Sequence, residues 1–486
     1  MKNRKITIIE IVKSVIFIAL VIALNKAGAP GNAAFFAVLI VMTLRSPEGA
    51  IKAVALCMLT MVLNSAFVER SSTVFSPMRF GLPLLAAARF FYDLGARGRN
   101  PFGPGSRRAL LAFVVIASIL SLAGGYFVLV SQLKLLSFLV GTIAILAGTE
   151  VVWRRGTDLT GWFYSLIIFT VLAGIFAWVA GVGYNAKGEF GAIRSLFNGP
   201  FLHPNTLGPV CALLICYLTC QLLYTPFGRR SVSVALIVAL FTFLYMSSSR
   251  TGMIAALAGI GASVFIGFFP RSGARAPIRL NISSAQIAGI VVGLAFAAII
   301  ANLVTDSLIS ESVKTFILKN NTSLVDSYST ALETLLVTRK AQIDMMLRNI
   351  EQKPWTGIGF GTSTHPFFVY HAGTFSAPTE KGILPLAILE ETGIIGAAFF
   401  LLFLSLLYRE LIIRHNLPGI GVLTTFLVCN LGEMGFFSFG GPGGISWVLA
   451  GAAILLGTNA RILRKNPPRS LQPRSRSQRT AHVANS

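Results

Sequence analysis

The chain has 486 residues, of which 54% are apolar and only 12% charged, with a mean hydropathy of +0.73. A water-soluble surface of this size needs about a quarter of its residues charged, so an ordinary soluble enzyme is excluded and a membrane-embedded chain is indicated. The 41 Lys and Arg stand against 18 Asp and Glu, a net charge of +23, which in a membrane protein marks topology before it marks nucleic-acid binding.

Lys2, Arg4 and Lys5 precede an apolar run from about Ile6 to Leu24. Asn25 to Gly31 supplies no convincing small-x-small cleavage site and more apolar segments follow, so this run reads as a first transmembrane helix rather than a signal peptide. Crossing an apolar core of about 30 Å takes roughly 17 to 25 residues. Such runs are centred near residues 15, 39, 59, 85, 119, 143, 172, 215, 240, 260, 294, 396, 427 and 453. The run near 85 is the weakest, being interrupted by Pro83 and Arg89. The fold class expected is therefore an all-α polytopic membrane protein with about 14 transmembrane helices (roughly 12–14).

Charge sets the expected orientation. With the N-terminus cytoplasmic, the inner loops hold Arg45 and Lys52, then Arg97, Arg99, Arg107 and Arg108, then Arg154 and Arg155, Arg229 and Arg230, then Arg271, Arg275 and Arg279, and later Arg409 and Arg414. The outer loops hold little beyond Lys26, Arg70 and Lys134. This alternation predicts both termini in the cytoplasm. Five segments follow: N-terminal membrane helices over 1–183, core helices with a first outer loop over 184–304, a long periplasmic loop over 305–382, C-terminal membrane helices over 383–460, and a Pro, Ser and Arg-rich tail over 461–486 suited to tethering on anionic lipid. The five cysteines sit in apolar stretches, with no CxxC pair and no His at ligand spacing, and read as small core hydrophobes.

The long outer loop carries an amphipathic stretch from Ser327 to Gln352, with Leu332, Leu335, Leu336, Ile343, Met346, Leu347 and Ile350 on one face. It predicts an ordered lid near the outer membrane surface. Three places put polar residues at outer helix ends: Arg194 to Pro209 with His203 and Asn205, Ser247-Ser-Ser-Arg250-Thr-Gly252, and Glu380-Lys381-Gly382 leading to Glu390 and Glu391. Asn205 is the expected N-cap of its helix. Helix N-termini beside Arg194, Arg250 and Lys381 suit a multiply charged anion, a diphosphate being the natural candidate.

Each has a plainer reading. Arg194 alone is a solvated or headgroup-binding arginine, and His203 an interfacial histidine. Arg250 lies between two apolar helices, where an unpaired charge costs at least a few kcal/mol. His365 and His371 are either general bases or surface residues, and Glu391, or Glu390 instead, is placed to pair with an Arg. Gly357-Ile-Gly-Phe-Gly361 follows no strand and is a poor dinucleotide loop.

In order along the chain, Arg194 with Gly199, Pro204 and Asn205, then Ser249-Arg250-x-Gly252, then Pro354-x-x-Gly357-x-Gly359 after an amphipathic helix, then Glu391-x-Gly393-x-x-Gly396 resemble the O-antigen ligase and Wzy-type polysaccharide polymerase superfamily. The resemblance covers roughly residues 190 to 410. The family often carries a His-Asn pair about nine residues before that Glu. Here the neighbourhood reads Thr379-Glu380-Lys381-Gly382, so the catalytic His is not carried over. Glu380, His365 or His371 takes the role of base. The resemblance implies inverting, metal-independent transfer of a glycan from an undecaprenyl-diphosphate donor to a glycan or lipid-linked acceptor at the periplasmic face, with no cofactor and no nucleic-acid partner.

On that reading Arg194, Arg250 and Lys381 hold the donor diphosphate, His203, Asn205 and Glu391 complete the substrate site, and fixed cations replace a metal at the leaving group; no Asp-x-Asp motif occurs in the outer loops. Trp355, Phe360, Phe367, Phe368 and Tyr370 are candidate sugar-stacking rings. The competing class is a transporter or flippase of a lipid-linked or anionic solute, which calls for internal repeats and broken helices. A scaffold without chemistry leaves Arg250 and the long loop unexplained.

Overall fold

The computed structural model describes residues 8–70, 74–100, 102–184, 196–224, 230–268, 340–363, 381–432 and 435–465. Helices dominate them. In order they are α1 (Ile8–Leu24), α2 (Gly28–Arg45), α3 (Pro47–Val62), α4 (Phe75–Gly95), α5 (Gly105–Gly124), α6 (Val128–Arg154), α7 (Thr160–Val179), α8 (Pro204–Tyr224), α9 (Arg230–Met246), α10 (Arg250–Phe268), α11 (Lys340–Gln352), α12 (Leu384–Ile413), α13 (Leu417–Cys429) and α14 (Pro442–Lys465). Seven stretches among the described residues are long and apolar enough to cross a bilayer, α1 and α2 counting as one; α9, α13 and the start of α14 are shorter apolar helices. The chain is a multi-pass membrane protein. The expected span near residue 294 lies outside the described residues.

Local chemistry fixes the helix ends. Ser46 accepts a hydrogen bond from Gly49 N at 2.9 Å and Pro47 occupies the first turn of α3, where its missing N–H costs nothing. Asn416 caps α13 in the same way, accepting from Gly419 N. α4, doubtful from sequence, runs through Pro83. Leu82, Ala86 and Phe90 are buried along it, so packing outweighs the lost backbone bond. Outward faces stay apolar, as Leu20, Val41, Leu122, Val179, Phe265 and Leu401 do, which in water would be a liability and against acyl chains is favourable.

Antiparallel neighbours gather the loops at two ends. One end ties charged residues together: Arg155 donates to Asp93 at 2.9 Å, Arg107 and Arg154 both pair with Glu150, and Ser106 donates to Glu410. The other end carries the turns after α1, α3, α5, α7, α9, α11 and α13, and the candidate functional residues. Beneath it lies an aromatic core of Phe113, Phe138, Phe400, Phe436, Phe437 and Trp447.

Candidate functional site

Asn64, just past α3, builds the floor of the first outer loop. Its side-chain amide donates to Val182 O at 3.2 Å and Gly199 O at 3.1 Å, and its backbone N–H donates to Pro200 O at 2.8 Å. Leu202 N donates to Val62 O. One buried asparagine thus joins the end of α3, the end of α7 and the segment leading into α8. The expected cap is corrected here: His203, not Asn205, caps α8, with its Nδ1 accepting from Asn205 N at 3.0 Å. Asn205 lies inside the first turn, and Pro209 denies its carbonyl the usual fourth-residue N–H. Arg194 lies outside the described residues, two positions before Leu196.

The serine corner joins α9 to α10. Ser248 adopts a left-handed φ of +53°, and Ser249 Oγ accepts from Gly252 N at 3.3 Å, so Arg250 opens α10 just after a capping serine. The corner is held from two sides. A Cβ on Gly208 of α8 would lie 2.1 Å from Ser249 Oγ, and one on Gly432, past α13, would lie 2.1 Å from Thr251 Oγ1. Near Gly432, Asn430 O accepts from Leu384 N at 2.9 Å. His203, Arg250 and Lys381 therefore sit on neighbouring elements at one end of the bundle.

The third locus departs from expectation. Lys381 is not an outward-facing cation. Its side chain is 1% exposed, with Nζ 2.6 Å from Glu390 Oε2 and 3.1 Å from Glu391 Oε1. Glu391 pairs with this lysine, not with an arginine. Asn349 of α11 donates to Glu390 Oε1 at 2.6 Å, and Gly361 N donates to Glu391 Oε2 at 2.7 Å. Burial pulls the Lys381 pKa down, but the two carboxylates, Glu391 first, outweigh it and hold the ammonium above the ordinary lysine value.

α12 breaks at Gly393, which has φ +62° and ψ −173° within an otherwise helical run. The segment after α11 fills the break with its own backbone: Ile358 N donates to Glu390 O at 2.8 Å, Gly359 N to Glu391 O at 3.1 Å, and Ile394 N to Pro354 O at 2.8 Å. A Cβ at Gly357 (φ +69°) would meet Glu391 C at 2.5 Å, and one at Gly393 would meet Trp355 C at 2.3 Å. Only glycine allows two backbones to pass this closely in these conformations. The same segment reaches α5 and α6: Lys353 Nζ donates to Gly124 O at 2.6 Å, Lys134 Nζ to Gly361 O at 2.8 Å, and Tyr126 N to Ile358 O at 3.0 Å.

Phe360 belongs to the aromatic core, 1% exposed and edge-on to Phe437 at 5.0 Å. Its expected role as a sugar platform is corrected to packing. Trp355 is 62% exposed and keeps the open surface such a role needs. Glu380, His365, His371, Phe367, Phe368 and Tyr370 lie outside the described residues, between Ser363 and Lys381, both of which are buried at this end. Sequence reasoning missed Asn349 and Asn64. Asn349 was legible as the polar interruption on the apolar face of α11; nothing in the pattern around Asn64 distinguished it.

No curated protein matches the chain. A family model described as O-antigen ligase matches residues 235–401, from α9 through the Arg250 corner, α11 and the glycine segment into α12 beyond its break. The match thus contains the serine corner, the Lys381, Glu390 and Glu391 cluster, and the loop that seats it. Residues 235–401 are similar to an O-antigen ligase family domain, and the match supports the resemblance to the O-antigen ligase and Wzy-type polymerase superfamily.

Proposed function

We propose that this protein transfers a glycan from an undecaprenyl-diphosphate-linked donor to an acceptor glycan, free or lipid-linked, at the periplasmic face of a bacterial inner membrane, with inversion and without a metal. The supporting observation is that the family match spans one bundle end where Arg250 opens a helix behind a serine cap beside the buried Lys381, Glu390 and Glu391 cluster. The proposed topology has about 14 crossings with both termini cytoplasmic. The clustered arginines at the far end support that orientation.

In this reading the donor diphosphate is held by Arg250 and Arg194, together with the N-terminal N–H groups of α8 and α10. Stabilising charge on the departing diphosphate is the main catalytic demand, and an arginine fork meets phosphate oxygens two at a time. The acceptor hydroxyl is deprotonated by Glu380, His365 or His371, all in the segment that enters and leaves beside the cluster. Lys381 changes role: being buried against two carboxylates, it holds the floor of the site instead of binding the donor. His203 fixes the start of α8, and with it Asn205.

A broken helix is also what a transporter or flippase calls for. At Gly393, however, the freed carbonyls of Glu390 and Glu391 accept from Ile358 and Gly359, so the break is occupied by the protein's own loop. That favours a fixed platform for chemistry. The test is glycan extension from purified lipid-linked repeat units by Arg250→Ala and Arg250→Lys variants. Both are expected to lose activity by two orders of magnitude or so at normal protein level. Full activity of both overturns the diphosphate assignment, and movement of substrate without a new glycosidic bond overturns the transferase reading.

A further inference from the structure

Away from the family domain, the same end of the bundle carries two arginines that no carboxylate among the described residues answers. Arg70 lies in the turn after α3 and Arg79 in the first turns of α4; both are half-buried. The Nε of each is shielded from solvent and has no hydrogen-bond partner among the described residues. Arg70 reaches the backbone only through a long 3.5 Å contact from Nη2 to Thr60 O. Arg79 lies over the Phe80 ring at 4.6 Å and beside Cys57.

Cys57 and Thr60 stand one helical turn apart on α3, joined by the Thr60 hydroxyl donating to Cys57 O at 2.7 Å. The Arg70 contact and the Arg79 electrostatic interaction therefore both fall on one stripe of one helix. A Cβ on Gly440 would lie 3.8 Å from Arg79 Nε, so this glycine borders the group. A third cation stands nearby, Lys26, whose Nζ donates to Ser65 O at 2.7 Å. Glu69 is the acidic residue of this turn, and its backbone is taken by Asn25 and Asn32. Burial alone lowers the Arg70 pKa to about 10, which leaves it charged at neutral pH.

We infer that Arg70 and Arg79 form a second anion site, separate from the Arg250 corner, that receives a phosphoryl group at the bundle end. Half-burying two guanidinium groups with no counter-charge among the described residues is costly unless an anion completes them. Arginine forks side by side match a tetrahedral oxyanion. The inference does not depend on the glycosyl-transfer reading, since any phosphorylated ligand at this end meets the same chemistry.

The test uses full-length protein in detergent and measures protection of individual arginines from phenylglyoxal by peptide mass spectrometry. The probes are short-chain phosphatidic acid, inorganic phosphate and short-chain phosphatidylcholine. At least a fivefold slowing at Arg70 and Arg79 together by phosphatidic acid or by inorganic phosphate, with no effect of phosphatidylcholine, is the expected result. Phosphatidic acid acting alone identifies a lipid phosphate, and equal action by inorganic phosphate identifies the free anion. In a companion measurement by native mass spectrometry, Arg70→Gln/Arg79→Gln is expected to weaken binding of the protecting anion about tenfold, while Arg108→Gln, an exposed arginine at the far end, leaves it unchanged. Unaltered modification rates at both arginines with every probe overturn the inference, whether or not the double variant folds.

Discussion

Lys381 places its ammonium 2.6 Å from the carboxylate of Glu390, nine residues later and past the first turns of α12. The pair is fully buried, and Glu391 lies on the same ammonium, so one cation answers two anions. Removing the cation strands both carboxylates. Lys381→Met is expected to destabilise the protein by about 3–5 kcal/mol, whereas Glu390→Gln, which leaves Glu391 in place, costs less. The lysine pKa is raised in the folded state, so its contribution is complete below the unfolded lysine value and is lost only as pH rises through the raised one. Thermal unfolding from pH 6 to pH 11 checks this. The gap between wild type and Lys381→Met should hold constant to about pH 10 and narrow above it.

Gly393→Ala and Gly357→Ala test the seat of the glycine segment. Each forces a left-handed φ on a side chain, worth about 1–2 kcal/mol, and drives Cβ into backbone atoms 2.3 and 2.5 Å away. Amide hydrogen exchange across residues 353–363 should accelerate in both. Gly261→Ala in α10, where nothing lies within 4 Å, serves as the control and should leave those rates unchanged.

The start of α8 separates two neighbouring residues. His203→Ala removes the acceptor of the Asn205 N–H and is expected to cost about 1 kcal/mol, as a lost N-cap does. Asn205→Ala keeps that bond, so an activity loss in Asn205→Ala with normal unfolding would mark a contact to substrate. Unfolding and extension assays on the same preparations read both effects.

Asn64→Ala breaks three ties at once, to Val182, Gly199 and the shape of the turn at Ala66, whose N–H the Asn64 Oδ1 accepts at 2.9 Å. At about 1 kcal/mol per bond, and more where a buried partner is left unmet, a loss of roughly 2–4 kcal/mol is expected. Limited proteolysis should then cut within residues 185–195 faster than in wild type.

Orientation is checked with introduced cysteines in a background lacking the five native, buried ones. Ser65→Cys, exposed at the site end, should react with an impermeant maleimide added outside intact cells. Asn100→Cys, exposed at the far end, should react only after permeabilisation. The reverse pattern would place the Arg250 corner in the cytoplasm and remove the basis for periplasmic chemistry.

The helices and the serine corner were legible in sequence because apolar period and breaker residues act locally. So was the glycine segment as an ordered motif, from Pro354 through Gly357 and Gly359. The burial of Lys381 was not legible. Its partners lie nine and ten positions on, a spacing no single helix face brings together, and only the turn before Leu384 folds them onto it. Arg79 escaped notice for the opposite reason: it resembles an ordinary interfacial arginine until the lack of a carboxylate among the described residues around it is seen. The capping of α8 by His203 was misread because Asn is the commoner cap, and the identity of a cap depends on where the backbone turns.

The segment from Pro354 to Gly361 is stitched to two regions far apart in the chain. Gly124 and Tyr126 hold one side of it, and residues 390–394 hold the other. During synthesis its first partner waits in the membrane more than two hundred residues before the second emerges. The segment therefore reaches its place only after the helix containing Gly393 has been inserted and bent. Closing this seam is a late assembly step that records whether the two halves of the protein have met in register, and a chain truncated before Ile394 would leave it open.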